Sequence, residues 1–229
     1  MAMFRFSVIG RLSVAAIGAI ALTACSGEAS NQAAGTSGSG EEINTEVTGA
    51  LGEMAQGSPD AKVTVIEFAS TTCPHCATFH ETIYPGIKEK YIDTGLVQFV
   101  FREFPTAPAE LSVAASMLAR CAADKGGSDA YFTVLKALFQ TQRTWIYGDN
   151  PRDELLKIVA QAGMDEATFD SCVKRQELVD LITKNVEEGQ ARYDVRSTPS
   201  FVINGQLRHF NTLEDMSAAL DEALEKASE

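Results

Sequence analysis

Two cysteines separated by two residues, Cys73 and Cys76, are the clearest candidates for chemistry in this 229-residue chain. The Cys-Pro-His-Cys run that contains them follows a β-branched and aromatic stretch at 62–69, so we expect it where a strand meets a helix. Pro74 at the first helical position makes Cys73 the N-cap residue. The free N–H groups and the dipole of that first turn stabilise a thiolate, which lowers the pKa of Cys73. Cys76, one turn deeper, is then the resolving thiol.

The chemistry that this run indicates is thiol-disulfide exchange. A low pKa at Cys73 favours the dithiol form and makes the Cys73–Cys76 disulfide a strong oxidant, and His75 is expected to donate to the Cys73 thiolate. A structural disulfide and half of a zinc site are the alternatives. Zinc would need more ligands than the nearby His80, because the chain has no second Cys-x-x-Cys, and haem attachment would need His in place of Ala77. The pattern therefore favours redox chemistry without a metal or cofactor.

The elements that must position these cysteines follow from periodicity. Strands are expected in four places: 62–69, 96–104, 200–203 and 206–210. The last two are joined by Asn204-Gly205, a dipeptide typical of a type I′ hairpin. Nearly every segment between 107 and 192 has helical spacing, and a closing helix begins after Thr212 as its N-cap. The order is βαβ, a helical block and ββα, which predicts a single α/β domain over 51–229.

The first 24 residues are typical of an export signal. Arg5 and Arg11 precede or border an apolar run, 12–22, that is too short to span a bilayer but suits a secretory h-region. The segment ends Leu-Thr-Ala-Cys25, which resembles the lipobox of bacterial lipoproteins; a soluble signal peptide with a chance cysteine is the alternative. Residues 25–50, rich in Gly, Ser, Ala, Thr and Asn, predict a flexible lipid-linked tether. We therefore expect a periplasm-facing protein of the bacterial cell envelope, attached to a membrane through its lipid alone.

Charge narrows the range of partners. The formal net charge is −12, and the signal segment contains arginines but no acid, so its removal leaves a still more acidic chain. Such a surface argues against nucleic acid and against electrostatic binding to anionic lipid. Export also implies an oxidising compartment, in which disulfides persist.

The βαβ order, the Cys-Pro-His-Cys run and Thr198-Pro199 together resemble the thioredoxin superfamily, and the helical block at about 107–192 resembles the insertion of its DsbA branch. The resemblance covers about 51–229 and implies a thioredoxin fold with an inserted all-helical subdomain. It also implies that Pro199 is cis, opposite the active-site disulfide, and that Thr198 pairs with bound peptide. Thr198 is a departure, because the best-studied oxidases have Val there and isomerases have Thr. Isomerases of that type also have an N-terminal dimerisation domain, which the short, polar segment 26–57 cannot supply.

Glu67 lies in the middle of the first predicted strand, six residues before Cys73. It resembles the buried carboxylate that helps proton transfer at the resolving cysteine in this superfamily. A buried acid is also costly without a task or a partner, which favours such a role. The alternative is strand alternation, with Glu67 on a solvated face. His80 and His209 have no partner pattern, so we predict ordinary surface or core residues.

Two further cysteines, Cys121 and Cys172, lie in the helical block. In an oxidising compartment a bridge between them is expected, and it resembles the extra disulfide of some DsbA-like proteins. Two separate buried thiols are the alternative, because free cysteine packs as a small hydrophobe. Trp145 and the phenylalanines of the block are expected in the core, and any exposed remainder could line a peptide groove.

The resulting functional prediction is an oxidase that passes the Cys73–Cys76 disulfide to reduced or misoxidised exported proteins. The resemblance implies reoxidation by a membrane partner of the DsbB type. A disulfide reductase or isomerase is the alternative within redox chemistry. The alternative from another class is a peptide-binding, chaperone-like lipoprotein whose disulfide is only structural.

Overall fold

The computed structural model describes residues 47–228, and a five-stranded mixed sheet lies at the centre of this region. The strands are β1 (Met54–Gln56), β2 (Val63–Ala69), β3 (Val97–Glu103), β4 (Ser200–Ile203) and β5 (Gln206–Arg208). Their order is β1-β3-β2-β4-β5; β2 and β3 are parallel and the other pairs antiparallel. The two central strands are buried almost throughout, as continuous apolar runs predict. The edge strand β1 was not predicted, because three residues are too few for a periodicity.

Eight α-helices accompany the sheet in the described region: α1 (Pro74–Thr82), α2 (Tyr84–Ile87), α3 (Ala109–Gln140), α4 (Gln142–Tyr147), α5 (Pro151–Ala160), α6 (Glu166–Cys172), α7 (Gln176–Tyr193) and α8 (Leu213–Lys226). A 3-10 turn at Gly49–Leu51 and a π-helical turn at Lys88–Ile92 complete the elements. Between residues 47 and 228, none of these helices has the length and apolar character needed to cross a bilayer.

Helices α3 to α7 form the predicted helical block between β3 and β4. The long helix α3 is interrupted at Gly127, whose φ of 61° and ψ of −159° are non-helical and favour glycine. Trp145 of α4 is fully buried, as expected for a core residue, and its indole Nε1 donates to the Leu138 carbonyl oxygen at 2.8 Å. This hydrogen bond satisfies the polar atom of the buried ring.

The second half of the sheet is organised by a tight hairpin. Asn204 and Gly205 have φ values of 46° and 82°, which matches the predicted type I′ turn between β4 and β5. Strand β5 ends at Arg208, two residues earlier than predicted. Helix α8 begins as expected, since the Thr212 hydroxyl accepts from the Asp215 backbone N–H at 3.1 Å.

The described fold begins slightly before residue 51, the predicted start of the domain. Ala50 is buried, and its backbone N–H donates to Asp124 Oδ1 at 2.8 Å. The folded part therefore includes the turn at Gly49–Leu51. The predicted signal peptide, the lipidation at Cys25 and the tether up to residue 46 lie outside the described residues.

A disulfide joins Cys121 of α3 to Cys172 of α6, with 51 residues of sequence separation. We expect the double variant Cys121→Ala/Cys172→Ala to be less stable by up to about 4 kcal/mol, because a bridge of this loop length restricts the unfolded chain. Urea unfolding of the oxidised proteins gives the free-energy difference. The variant is preferable to a reductant, which would also act on Cys73 and Cys76. Equal midpoints for the variant and the wild type would contradict this expectation.

Candidate functional site

The Cys-Pro-His-Cys run lies between the carboxyl end of β2 and the start of α1. Cys73 is the N-cap residue, with an extended backbone at φ −78° and ψ 122°, and Pro74 occupies the first helical position. Both cysteines are thiols in this structure. Cys73 is 7% exposed, whereas Cys76 has no exposed surface. The outer sulfur can therefore be reached by a partner molecule, and the inner one cannot.

The two thiols have opposite electrostatic environments. A hydrogen bond from Cys76 lowers the pKa of Cys73 to about 5, against the opposing effect of burial, and Thr198 and the backbone N–H groups of Cys76 and His75 add to the lowering. Burial raises the pKa of Cys76 well above its ordinary value, and the charge of Glu67 contributes to that increase. The thiolate is therefore favoured at Cys73 and the protonated thiol at Cys76.

We expect a single thiol titration near pH 5 in the reduced protein, because only Cys73 ionises in the mildly acidic range. Thiolate absorbance followed against pH measures this transition. Iodoacetamide at mildly acidic pH should modify Cys73 and leave Cys76 protonated and protected. The variant Cys73→Ser is the control and should lack the transition. A titration of Cys73 near the ordinary value of 9.0 would contradict the assigned environment.

His75 lies beside the reactive sulfur, but its side chain is exposed. Its effect on the pKa of Cys73 comes from the backbone N–H, which points toward the sulfur at the start of α1. Pro74 is exposed too. These two residues therefore shape the first turn of the helix and the rim around Cys73.

The Thr198-Pro199 peptide is cis and immediately precedes β4. Pairing of Ser200 in β4 with Phe68 in β2 fixes this segment beside the end of the strand that leads to the cysteines. The Thr198 carbonyl oxygen lies 3.4 Å from Cys73 Sγ. The structure thus brings both predicted substrate-binding residues to the reactive thiol.

Glu67 is fully buried in β2, which does not fit the alternative of a solvated face. Its Oε2 lies 2.8 Å from His80 Nε2, and its Oε1 has no hydrogen-bond partner in the described protein. His80 is mostly buried, as a core residue would be, but it has a polar partner that the sequence did not indicate. His80 follows Cys76 by four residues on α1, so both side chains lie on one helix face; this spacing is the signal that could have found it. His209 is exposed after β5.

A further residue, Gln142 of α4, holds the loop before the cysteines and was not predicted. Its side-chain Nε2 donates to the carbonyl oxygens of Thr71 and Cys73, both at 2.9 Å. Ser70 in the same loop lies 2.8 Å from Ser112 of α3, hydroxyl to hydroxyl. The helical block therefore fixes the backbone around Cys73. Nothing in the sequence near residue 142 distinguishes this glutamine from a surface residue.

The site is a buried dithiol at a strand-to-helix junction, and a cis-proline segment faces it. Together with a mixed sheet and a helical insertion, these features define the class of thioredoxin-fold thiol-disulfide oxidoreductases. Comparison with known proteins agrees: a sequence model of the thioredoxin family matches residues 50–222. The chain therefore belongs to the thioredoxin family, among its DsbA-like thiol-disulfide oxidoreductases. This confirms the predicted thioredoxin fold with a helical insertion.

Individual relatives support this placement. The chain is 32% identical over 185 residues to a Rickettsia typhi protein described as a protein-disulfide oxidoreductase, covering 80% of this chain and 67% of that one. It is 25% identical over 201 residues to disulfide bond formation protein D of Bacillus subtilis, covering 80% and 84%. The crystal structure of Wolbachia pipientis alpha-DsbA1 superposes with a TM-score of 0.69 at 29% identity, covering 76% and 92%. A relative from Rickettsia felis has 62% of its length covered, so part of that protein has no counterpart in the alignment.

Proposed function

We propose that this protein is an oxidase, which donates the Cys73–Cys76 disulfide to reduced or misoxidised exported proteins. The observation that carries the proposal is the contrast between the two thiols, with a pKa of about 5 at Cys73 and a raised pKa at Cys76. A thiolate stabilised in the reduced enzyme shifts the equilibrium toward the dithiol form. The disulfide form is then a stronger oxidant than it would be with an ordinary thiol pKa at Cys73.

The reaction has two exchange steps. A substrate thiolate attacks Cys73 Sγ, a substrate–Cys73 bond forms, the Cys73–Cys76 bond breaks, and Cys76 receives the electron pair and then a proton. A second substrate thiolate attacks the substrate sulfur of this mixed disulfide, forms the substrate disulfide and displaces the Cys73 thiolate. A thiol of low pKa is the better leaving group, so the second step is favoured. Reoxidation by a membrane partner of the DsbB type follows from the family resemblance.

The equilibrium of the Cys73–Cys76 pair with glutathione tests the direction of electron flow. We expect a potential nearer to about −120 mV than to about −270 mV, the values typical of a strongly oxidising and a reducing dithiol respectively. The oxidised protein should also convert a reduced dithiol peptide to its disulfide. A potential near the reducing value would favour the alternative, a reductase or isomerase, which Thr198 beside Pro199 suggests.

Binding without redox chemistry is the rival from another class. A peptide-binding, chaperone-like protein would keep its activity in Cys73→Ser, whereas an oxidase, reductase or isomerase would lose it. The exposed Tyr147 lines a groove together with Pro74 and Thr144, and an extended peptide could lie there in either case. The binding assay on Cys73→Ser therefore separates the two classes.

We also propose a location in the bacterial cell envelope, facing the periplasm, with a lipid on Cys25. The support is the apolar segment at 12–22 and the lipobox-like run that ends in Cys25. An oxidising compartment is also where a donated disulfide persists. Attachment through a lipid leaves the acidic domain free of the membrane surface.

The variant Cys25→Ser tests this attachment. We expect the folded domain to move from the membrane fraction to the soluble fraction, because the lipidation site is lost. Cell fractionation followed by detection of the protein gives the distribution, and Cys73→Ser serves as a matched control that should stay with the membrane. Retention of Cys25→Ser on membranes would show that Cys25 is not the anchor.

A further inference from the structure

Cys76 must exchange a proton with solvent in every cycle, yet it has no exposed surface. Reduction of the disulfide leaves its sulfur as a thiolate that takes up a proton, and reoxidation requires that the proton leave again. Cys73 lies on the outer side of the pair, so water has no direct route to the inner sulfur. A group inside the protein must connect Cys76 with the solvent.

Glu67 of β2 is an ionisable group close enough to influence this sulfur. It is fully buried in β2, and its charge acts on Cys76 directly. One carboxylate oxygen, Oε1, has no protein partner in the described region, and the other lies 2.8 Å from His80 Nε2. An ionised carboxylate buried in this way is costly unless it has a task or a partner. Glu67 is itself shut off from water, so it cannot exchange the proton with solvent alone.

His80 extends from Glu67 to the protein surface. Its imidazole stacks on the Phe139 ring, with centroids 4.4 Å apart and planes 21° apart, and the Tyr84 ring lies 4.8 Å away. The side chain is 7% exposed and lines a cavity of about 490 Å³. Exposed residues Glu81 and Lys136 also line that cavity, so solvent can enter it. The ring is thus held between the buried carboxylate and water.

The other ionisable groups around His80 are few. Tyr84 does not compete for the proton, since burial and the charge of Glu67 raise its pKa and its hydroxyl donates to Gln56. The remaining charged groups line the solvent side of the cavity: Glu81, Lys88, Asp129 and Lys136. On the protein side Glu67 contacts His80, and the charge of Glu67 acts in turn on Cys76 and Tyr131.

We propose that His80 relays protons between Glu67 and the solvent in this cavity, and that Cys76 gains and loses its proton through the pair. The inference rests on the proposed exchange at Cys73 and Cys76. When the disulfide is reduced, Glu67 donates a proton to Cys76. His80 then reprotonates Glu67, and His80 takes up a proton from water. In reoxidation the proton follows the reverse path. His80 acts through Glu67, so it is a positioning residue rather than one that touches the sulfur.

Oxidation of the reduced enzyme by oxidised glutathione isolates the proton-dependent step. The Cys73 thiolate first forms a mixed disulfide and releases one glutathione thiolate. Cys76 then gives its proton to Glu67 and attacks Cys73 Sγ; the Cys73–Cys76 bond forms, and the second glutathione leaves as a thiolate with its electron pair. The rate of this second release is the quantity to measure, by rapid mixing and acid quench.

Two variants test the relay. His80→Gln keeps a hydrogen-bond donor for Glu67 but cannot carry a proton, and His80→Ala opens the cavity toward Glu67. We expect the second release to slow by about tenfold or more in both variants. This is less than the roughly 10²–10⁴-fold that direct general acid–base catalysis contributes, because His80 acts one step removed from the sulfur. Imidazole should restore the rate of His80→Ala and leave His80→Gln unchanged. The pH dependence of the rate should also change shape in His80→Gln, because glutamine does not titrate.

The outcomes are separable. The folding of His80→Gln is checked by circular dichroism. If folded His80→Gln reacts at the wild-type rate with an unchanged pH profile, the relay is overturned. A slow His80→Ala that imidazole does not rescue would overturn it too. If His80→Ala does not fold, His80→Gln decides alone. His209→Gln, an exposed histidine elsewhere, is the matched control and should react as the wild type does. If the wild-type protein itself fails to form the mixed disulfide, the proposed function fails and not the relay alone.

Discussion

Replacement of Cys73 by Ser should abolish catalysed disulfide exchange. Cys73 is the sulfur that a partner can reach, and hydrogen bonds at the start of α1 hold it as a thiolate at neutral pH. A serine hydroxyl is not ionised there and cannot form or accept a disulfide, so the rate should fall to that of the uncatalysed reaction. Oxidation of a reduced dithiol peptide, followed by its change in mass, measures the loss.

The variant Cys76→Ser should fail at a later step, after the mixed disulfide at Cys73 has formed. Its Cys73 can still attack a disulfide, but no inner thiol remains to resolve the product, so a mixed disulfide should accumulate. Mass spectrometry under non-reducing conditions detects this species at Cys73. The double variant Cys121→Ala/Cys172→Ala removes two cysteines from the helical block instead and should retain exchange while it remains folded. Turnover at the wild-type rate in Cys73→Ser would place the chemistry elsewhere.

The part of the site that these variants alter could be predicted from the sequence. The Cys-Pro-His-Cys run predicts its own surroundings, because the proline fixes the helix start and hence the N-cap position of Cys73. Local rules of this kind also predicted the Asn204-Gly205 hairpin and the start of α8. Each depends on residues within one turn of each other.

Contacts between distant elements could not be predicted from the sequence. His80 contacts Glu67 across 13 residues and two elements, and Gln142 reaches Cys73 across 69 residues. A polar side chain on a helix has many possible partners, and periodicity indicates which face it occupies but not what it will meet. Strand β1 was missed for the same reason, since its three residues are defined by their pairing with β3.

The largest such omission is a buried ion pair between Glu103, at the end of β3, and Arg120 of α3. Arg120 donates from Nε and Nη2 to the two carboxylate oxygens at 2.7 and 2.8 Å, and both side chains are almost completely buried. Tyr131 and Asn185 each donate to the same carboxylate at 2.8 Å. The pair therefore joins the central sheet to α3 and α7 of the helical block.

Arg120 also reaches the start of the folded chain. Its Nη1 donates to the carbonyl oxygens of Ala50 and Gly52, both at 3.0 Å. These carbonyls belong to the turn before β1, where a backbone acceptor without a partner would be costly. One guanidinium thus satisfies a buried carboxylate and two buried or partly buried backbone groups.

We expect Arg120→Met to lower the free energy of unfolding by about 3–5 kcal/mol, because it leaves the Glu103 charge buried without its cation. The double variant Glu103→Gln/Arg120→Met should be more stable than Arg120→Met, since the uncompensated charge is gone. Urea unfolding of both variants and of Glu103→Gln completes a double-mutant cycle. Arg152→Met is the matched control: its ion pairs with Glu166 and Asp170 are solvent-exposed, so little change is expected.

The cycle also separates charge from packing. If Arg120→Met and the double variant were equally unstable, the loss would come from the packing of the arginine side chain and from the unpaired carbonyls of Ala50 and Gly52. If the double variant recovers stability, the buried charge of Glu103 is the dominant cost, as the desolvation argument requires. Because this network lies at the junction of sheet and helical block, its loss should also loosen α3. The Ser112 contact to the active-site loop would then weaken along with the fold.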